Sequence, residues 1–149
     1  MNLKCVIIDD EPLAIDVIAE HIERTPFLSL TKSFTHSVKA YEFLSENKVD
    51  ILFIDIKMPD LNGIELVSKL NYQPVVIFTT AFDQYAIDGF KLNAVDYLLK
   101  PVDYPDFLKA AEKAKKWIFA NSQTLSIQSN KEFLFIKSEI RLSVLNLVR

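Results

Sequence analysis

The stretch D-I-L-F-I-D-I-K-M-P-D-L-N-G, running from Asp50 to Gly63, constrains this chain more than any other. Four apolar residues in a row, Ile51 to Ile54, suit a strand buried on both faces of a sheet, and the run breaks at a carboxylate, Asp55. In open α/β sheets ligands bind in the crevice outside the carboxyl ends of the strands, so an acid placed there is positioned for chemistry more often than one inside a helix. Pro59 and the pair Asn62-Gly63 then turn the chain away.

A second acidic stop stands at the front of the chain. Leu3 to Ile8 is another short apolar run, and it ends in Asp9, Asp10 and Glu11 before Pro12 opens a helix. Either stop alone reads equally well as ordinary N-cap and turn acids. If the two strands lie side by side and parallel, however, at least three carboxylates converge on one edge of the sheet. Like charges so close repel, and a cluster of this kind is tolerable mainly when a hard cation such as Mg2+ sits among the oxygens.

The remaining chain repeats the strand and helix rhythm. Pro12 to Arg24 has the apolar spacing of a helix, Phe27 to Phe34 alternates as a strand, and Ser37 to Ser45 is again helical. After the central strand come a helix from about Gly63 to Leu70, a buried strand Val75 to Thr79 closed by Thr80 and Ala81, a helix Asp83 to Leu92, and a last strand Ala94 to Leu99. Lys100-Pro101 ends that strand and delivers an ammonium to the same rim; an X-Pro bond such as this one is where a cis peptide occurs when there is one. Asp103, with Asp106 three residues on, predicts a capped helix to about Ala120. Its inner stripe is Phe107, Leu108, Ala111, Ala114 and Ile118, and Lys109, Lys113, Lys115 and Lys116 form a solvated outer face. His21 reads as an exposed or flanking residue, and His36 as a loop residue with no ligand partner at metal spacing.

Strands alternating with helices five times imply a parallel sheet covered on both faces, and right-handed crossovers then put every polar strand end on one rim. The chain has 149 residues, about one domain, and half of them are apolar, which supplies a core. With a net charge of −3, nothing in the overall balance suggests a nucleic-acid or membrane surface. The single cysteine, Cys5, falls in an apolar run and reads as a buried hydrophobe. No apolar run reaches the roughly 18 residues of a spanning helix, and no signal-peptide core precedes the first charges, so the cytoplasm is the expected compartment.

Residues 121–149 break the rhythm. Asn121 to Ser126 is mostly polar and reads as a linker, while Phe133, Phe135, Ile140, Leu142 and Val144 recur at every second position, as in a hairpin around Lys137 to Glu139. Two strands alone are marginal in water, so the tail is expected to be an incomplete piece of a second domain.

Taken together, Asp9-Asp10 after the first strand, Asp55 after the third, Thr80 after the fourth and Lys100-Pro101 after the fifth closely resemble the receiver domain of two-component response regulators, over about residues 1–120. The phrases D-D-E-P-L-A, D-I-K-M-P-D-L-N-G, T-T-A-F-D-Q-Y-A and N-A-V-D-Y-L-L-K-P are similar to the LytTR (LytR/AlgR-type) subgroup. The resemblance implies a flavodoxin-like (βα)5 fold with sheet order 2-1-3-4-5 and a short C-terminal β tail. Residues 1–120 would form the receiver, 121–130 a linker and 131–149 the incomplete start of a LytTR-type DNA-binding domain.

For the site, the resemblance implies Asp55 as phosphoacceptor and Mg2+ held by Asp10, Asp55 and the backbone carbonyl of Lys57, with Asp9 helping directly or through water. Thr80 and Lys100 would contact the phosphoryl oxygens, and Tyr97 would match the family's switch aromatic. Asn93 stands where many receivers carry Gly, a change that a left-handed backbone tolerates.

The implied partner is a histidine kinase. DNA would be reached only through the remainder of the C-terminal domain, and a homodimer would form through the fourth helix, fifth strand and fifth helix. Such a domain is not an enzyme acting on a separate substrate, although it assists its own phosphorylation and dephosphorylation. Two other readings stay open. One is a Mg2+-dependent phosphatase of the haloacid-dehalogenase type, which wants a second acid where this chain has Lys57. The other is a pseudo-receiver, a phosphorylation-independent interaction module.

Overall fold

The computed structural model describes residues 2–81 and 94–127. Five strands, β1 (Leu3–Ile8), β2 (Leu28–Phe34), β3 (Ile51–Asp55), β4 (Val75–Thr80) and β5 (Asp96–Leu99), form one sheet. Helices α1 (Pro12–Glu23), α2 (Ser37–Glu46) and α3 (Gly63–Lys69) follow the first three strands, and a final helix, Tyr104–Ile127, follows β5. All four strand pairs are parallel, as the alternation of elements implied, and the order is β2-β1-β3-β4-β5, as the family resemblance implied. The helix expected over Asp83 to Leu92, Asn93 and the hairpin expected within 131–149 lie outside the described residues.

The sheet owes its two-sided core to strands that are apolar at both parities. Side chains alternate between faces along a strand. Cys5, Ile7, Phe53 and Ile77 therefore join one layer, under α1 and the final helix, while Val6, Ile8, Leu52, Ile54, Val76 and Phe78 join the other, against Ala40 and Leu44 of α2 and Leu66 of α3. β3 and β4 are buried at every position, whereas the edge strand β2 is largely exposed. Phe107 stacks on Phe53 with ring centroids 5.1 Å apart. Ala110, Ala111 and Ala114, all fully buried, bring the final helix close against the sheet.

The structure moves several boundaries. Asp55 and Thr80 are the last residues of their strands rather than residues beyond them. In the final helix Ala110 is fully buried while Leu108 and Ile118 are only part-buried, so the inner stripe is narrower and smaller than expected. That helix begins on an Asp103 cap, with the Asp106 N–H donating to Asp103 Oδ1 at 2.9 Å, and runs on through Asn121–Ile127, the stretch read as linker. His21 is neither exposed nor merely flanking; its ring packs inward beside Tyr104 and Phe107. The Lys100-Pro101 bond is cis. No helix among the described residues is long and apolar enough to cross a membrane.

Candidate functional site

Strand register builds the site. Ile8 pairs with Ile54, so the next residues, Asp9 just past β1 and Asp55 at the end of β3, stand side by side; Asp55 pairs with Thr79, and Thr80 with Leu99, which puts Lys100 next in line. The N–H of Lys100 donates to the carbonyl of Thr80 at 2.8 Å and continues the ladder one step past β5. Acids and ammonium separated by up to 91 positions in the chain thus meet at one edge.

The turn after β3 is held tightly. Asn62 caps α3 with a reciprocal capping box, its side chain accepting from the Glu65 N–H at 2.8 Å while Glu65 accepts from the Asn62 N–H at 3.2 Å. The Gly63 N–H donates to the Ile56 carbonyl at 2.8 Å. A Cβ on Gly63 would collide with the backbone carbonyl oxygen of Asp55, so the glycine is required by close approach. Asp60 takes the left-handed conformation at φ 67°, which Asp tolerates better than most residues. Ser37, at the start of α2, donates its hydroxyl to the Pro59 carbonyl at 3.1 Å and ties the same turn down from the other side.

Four carboxylates, those of Asp9, Asp10, Glu11 and Asp55, offer ligand oxygens that all lie within 4.8 Å of one another. Asp9 and Asp55 are buried, and Asp10 and Glu11 are exposed. The Lys100 ammonium reaches Asp9 at 2.8 Å, Glu11 at 3.0 Å and Asp55 at 3.5 Å. The Glu11 N–H donates to Asp9 Oδ1 at 2.9 Å, which turns the first acid inward.

Burial first, then the negative charges of Asp9 and Asp10, push Asp55 from an ordinary 3.8 up to about 7, against the opposing pull of Lys100. Burial also raises Asp9, and its hydrogen bond from Lys100 resists that rise. Burial works against the Lys100 ammonium, but hydrogen bonds to Asp9 and Glu11 outweigh it and carry the group up to about 12. An all-oxygen donor set this compact and this short of positive charge suits a hard divalent cation such as Mg2+.

Of the residues expected from sequence, Asp9, Asp10, Asp55 and Lys100 come together here. Thr80 ends β4 at the same edge, fully buried. Lys57 follows β3 with an exposed side chain. Tyr97 sits in β5 opposite Phe78, half-buried and packed on the second core layer. Glu11 was read only as part of the acidic stop; its pairing with Lys100 adds it to the site. Gly63 was read only as a turn residue, and the collision described above gives it a second task.

The family described as the response regulator receiver domain matches residues 5–112. The chain is 36% identical over 129 residues to an uncharacterized response regulatory protein of Vibrio parahaemolyticus, covering 85% of this chain and 53% of that one. It is 38% identical over 117 residues to the sensory transduction protein LytT of Bacillus anthracis, covering 76% and 48% respectively. Among solved structures it is similar to the response regulatory domain of protein mrkE from Klebsiella pneumoniae, with a TM-score of 0.71 and 32% identity, covering 76% of this chain and 96% of that one. The chain spans about half the length of the curated relatives it matches.

Proposed function

Because the chain belongs to the response regulator receiver domain family and is the receiver of a two-component system, we propose that Asp55 is the residue that takes the phosphoryl group. The observation that carries this reading is the meeting of Asp55, two further aspartates and the Lys100 ammonium at the carboxyl edge of the sheet.

In the proposed reaction an Asp55 carboxylate oxygen attacks the phosphorus of a phosphohistidine or a small acyl phosphate. A P–O bond forms as the P–N or P–O bond to the donor breaks, and the donor's imidazole or carboxylate departs. The transferring group is loose and anionic, so alignment and positive charge do most of the catalysis. Lys100 supplies one such charge from within reach of Asp55, and the Thr80 hydroxyl turns toward the new phosphoryl oxygens. Asp9, Asp10 and Asp55, with the Lys57 carbonyl, would hold Mg2+, which receiver domains generally use, and the bound ion would neutralise carboxylates and phosphoryl oxygens together.

Phosphorylation adds negative charge and acceptor oxygens at this edge. The space Thr80 vacates admits Tyr97, which carries the local change to the surface around β5 and the final helix.

We read the partner as a histidine kinase. Leu13 and Val17 stand exposed on α1, 79% and 38% accessible, beside a cavity of about 310 Å³ that Asp9, Glu11, Lys100 and Pro101 also line. An apolar patch bordering a reactive pocket is where a protein donor gains contact area without covering the chemistry. Transcriptional output, DNA contact through a LytTR-type domain beginning near residue 131, a cytoplasmic setting and a homodimer through the β5 edge belong to the same proposal. The phosphatase reading is the weaker one, since Lys57 stands where that chemistry wants an acid.

The test is intact-mass analysis after incubation with acetyl phosphate. We expect one added phosphoryl group in the presence of Mg2+, none with EDTA and none in Asp55→Asn. Equal labelling of Asp55→Asn refutes the assignment.

A further inference from the structure

The residues that hold Lys100 in place are not all at the site. Lys100 leaves β5 anchored by its own N–H to the Thr80 carbonyl, but the chain then turns through Pro101 and Val102 before the Asp103 cap starts the final helix. The far side of that turn is held from α1. His21 Nε2 lies 2.8 Å from the Val102 carbonyl oxygen, across 81 positions of sequence. A carbonyl only accepts, so Nε2 carries the hydrogen and donates it.

The ring is fixed around that bond. It packs 5.2 Å from Phe107 and 5.6 Å from Tyr104, centroid to centroid, and its other nitrogen, Nδ1, is buried without a hydrogen-bond partner. A purely apolar side chain would fill the same space and leave no nitrogen stranded. What the imidazole contributes beyond bulk is the single bond to Val102. The end of α1 reinforces the clamp: Thr25 Oγ1 donates to the His21 carbonyl at 2.8 Å, the Tyr104 hydroxyl donates to the Arg24 carbonyl at 3.3 Å, and the Arg24 guanidinium lies 4.0 Å over the Tyr104 ring.

We propose that His21 is a positioning residue for phosphoryl transfer: by holding the Val102 carbonyl it fixes the turn that aims the Lys100 ammonium at Asp9 and Asp55. The inference rests on the assignment of Asp55 and Lys100 above. Small errors in placing a charged clamp are costly, because the transition state rewards alignment. The turn is hydrogen-bonded at Lys100 N to β4 and at Val102 O to His21; losing the second bond leaves that end held by the packing of the Val102 side chain, which restrains position but not the direction of the carbonyl.

The experiment follows the Mg2+-dependent rate of Asp55 labelling by acetyl phosphate in five proteins: wild type, His21→Phe, His21→Gln, Lys100→Ala and the double variant His21→Phe/Lys100→Ala. Phe keeps the ring and removes the N–H, whereas the Gln amide restores a donor. We expect His21→Phe to slow labelling about five- to tenfold, His21→Gln to return within about twofold of wild type, and His21→Phe to cause no further slowing once Lys100 is gone. His21→Leu carries the same expectation as His21→Phe and replaces it if that variant does not fold. Wild-type rates in His21→Phe, or the same fractional slowing with and without Lys100, overturn the proposal. Failure of the wild type to label, or labelling of Asp55→Asn, overturns the underlying assignment and this inference with it.

Discussion

Replacing Asp55 by Asn tests the electrostatics of the pocket without any phosphodonor. Asp55 is 5% exposed and faces Asp9, Asp10 and Glu11 from the turn between β1 and α1, and Lys100 from just past β5. Its acidity moves from 3.8 in an ordinary setting to about 7 in the fold. Between those values the folded chain holds a proton that the unfolded chain has released, so stability falls as pH rises. Below both, the two states hold equal protons and the effect vanishes; above both, the full penalty stands.

At roughly 1.4 kcal/mol per pH unit the penalty for keeping Asp55 ionised is about 4 kcal/mol. That penalty already includes the attraction of Lys100, so Asn recovers it less about 1–3 kcal/mol for fitting an uncharged amide among Asp9, Asp10 and Lys100, leaving a net gain of about 1–3 kcal/mol. At about 4 °C per kcal/mol the variant should melt about 4–12 °C above wild type at pH 8 in EDTA. The assay is thermal unfolding at pH 5 and pH 8, with EDTA and with millimolar Mg2+. The gain should fall by about 2–3 kcal/mol from pH 8 to pH 5, which lies between 3.8 and about 7, and Mg2+ should raise wild type more than Asp55→Asn. Equal melting of the two proteins at pH 8 in EDTA, or a gain that does not depend on pH, refutes the reasoning.

Three further substitutions probe the parts separately. Lys100→Ala leaves buried Asp9 without its 2.8 Å partner and should lose about 2–4 kcal/mol in EDTA by denaturant unfolding, with Asp55 labelling at least about tenfold slower. Gly63→Ala forces a Cβ onto the Asp55 carbonyl oxygen; a loss of about 1–3 kcal/mol is expected, and labelling should slow because the strand end carrying Asp55 is displaced. Asp103→Ala removes the cap on the final helix and should cost about 1 kcal/mol in chemical denaturation, with labelling little changed if the His21 clamp holds the preceding turn.

That the polar strand ends share one rim was legible from strand direction, because an apolar run ending in a charged residue says which end of the strand that residue occupies; the sheet order was legible only through the resemblance to receiver domains. Features set by contact across the chain were not. His21 looked peripheral because nothing local to α1 marks it, and its partner is a backbone carbonyl 81 positions away. Ala110 replaced Leu108 in the buried stripe because neighbouring positions on a helix differ by a rotation that only packing resolves, and a sheet this close accepts methyl groups more readily than longer side chains. The final helix passed through Asn121–Ile127 because that stretch contains neither Gly nor Pro to stop it, and polarity alone does not end a helix. Glu11 was visible as an acid, but its reach to Lys100 depends on how the turn before α1 folds back.

The way one ammonium is shared supports the proposal that Asp55, rather than its neighbours, is the nucleophile. Lys100 lies nearest Asp9, then Glu11, and farthest from Asp55. The two carboxylates it neutralises best are committed to ion pairs and to holding the turn, and a carboxylate with its lone pairs engaged is a poor attacking group. Asp55 keeps an oxygen less encumbered, at the end of a strand fixed by β1 on one side and β4 on the other. Its raised pKa comes first from burial and then from the negative charge of Asp9, which the pull of Lys100 only partly offsets. Any added positive charge that quiets the repulsion at this edge would do so where, on the proposed assignment, an anionic phosphoryl group has to arrive.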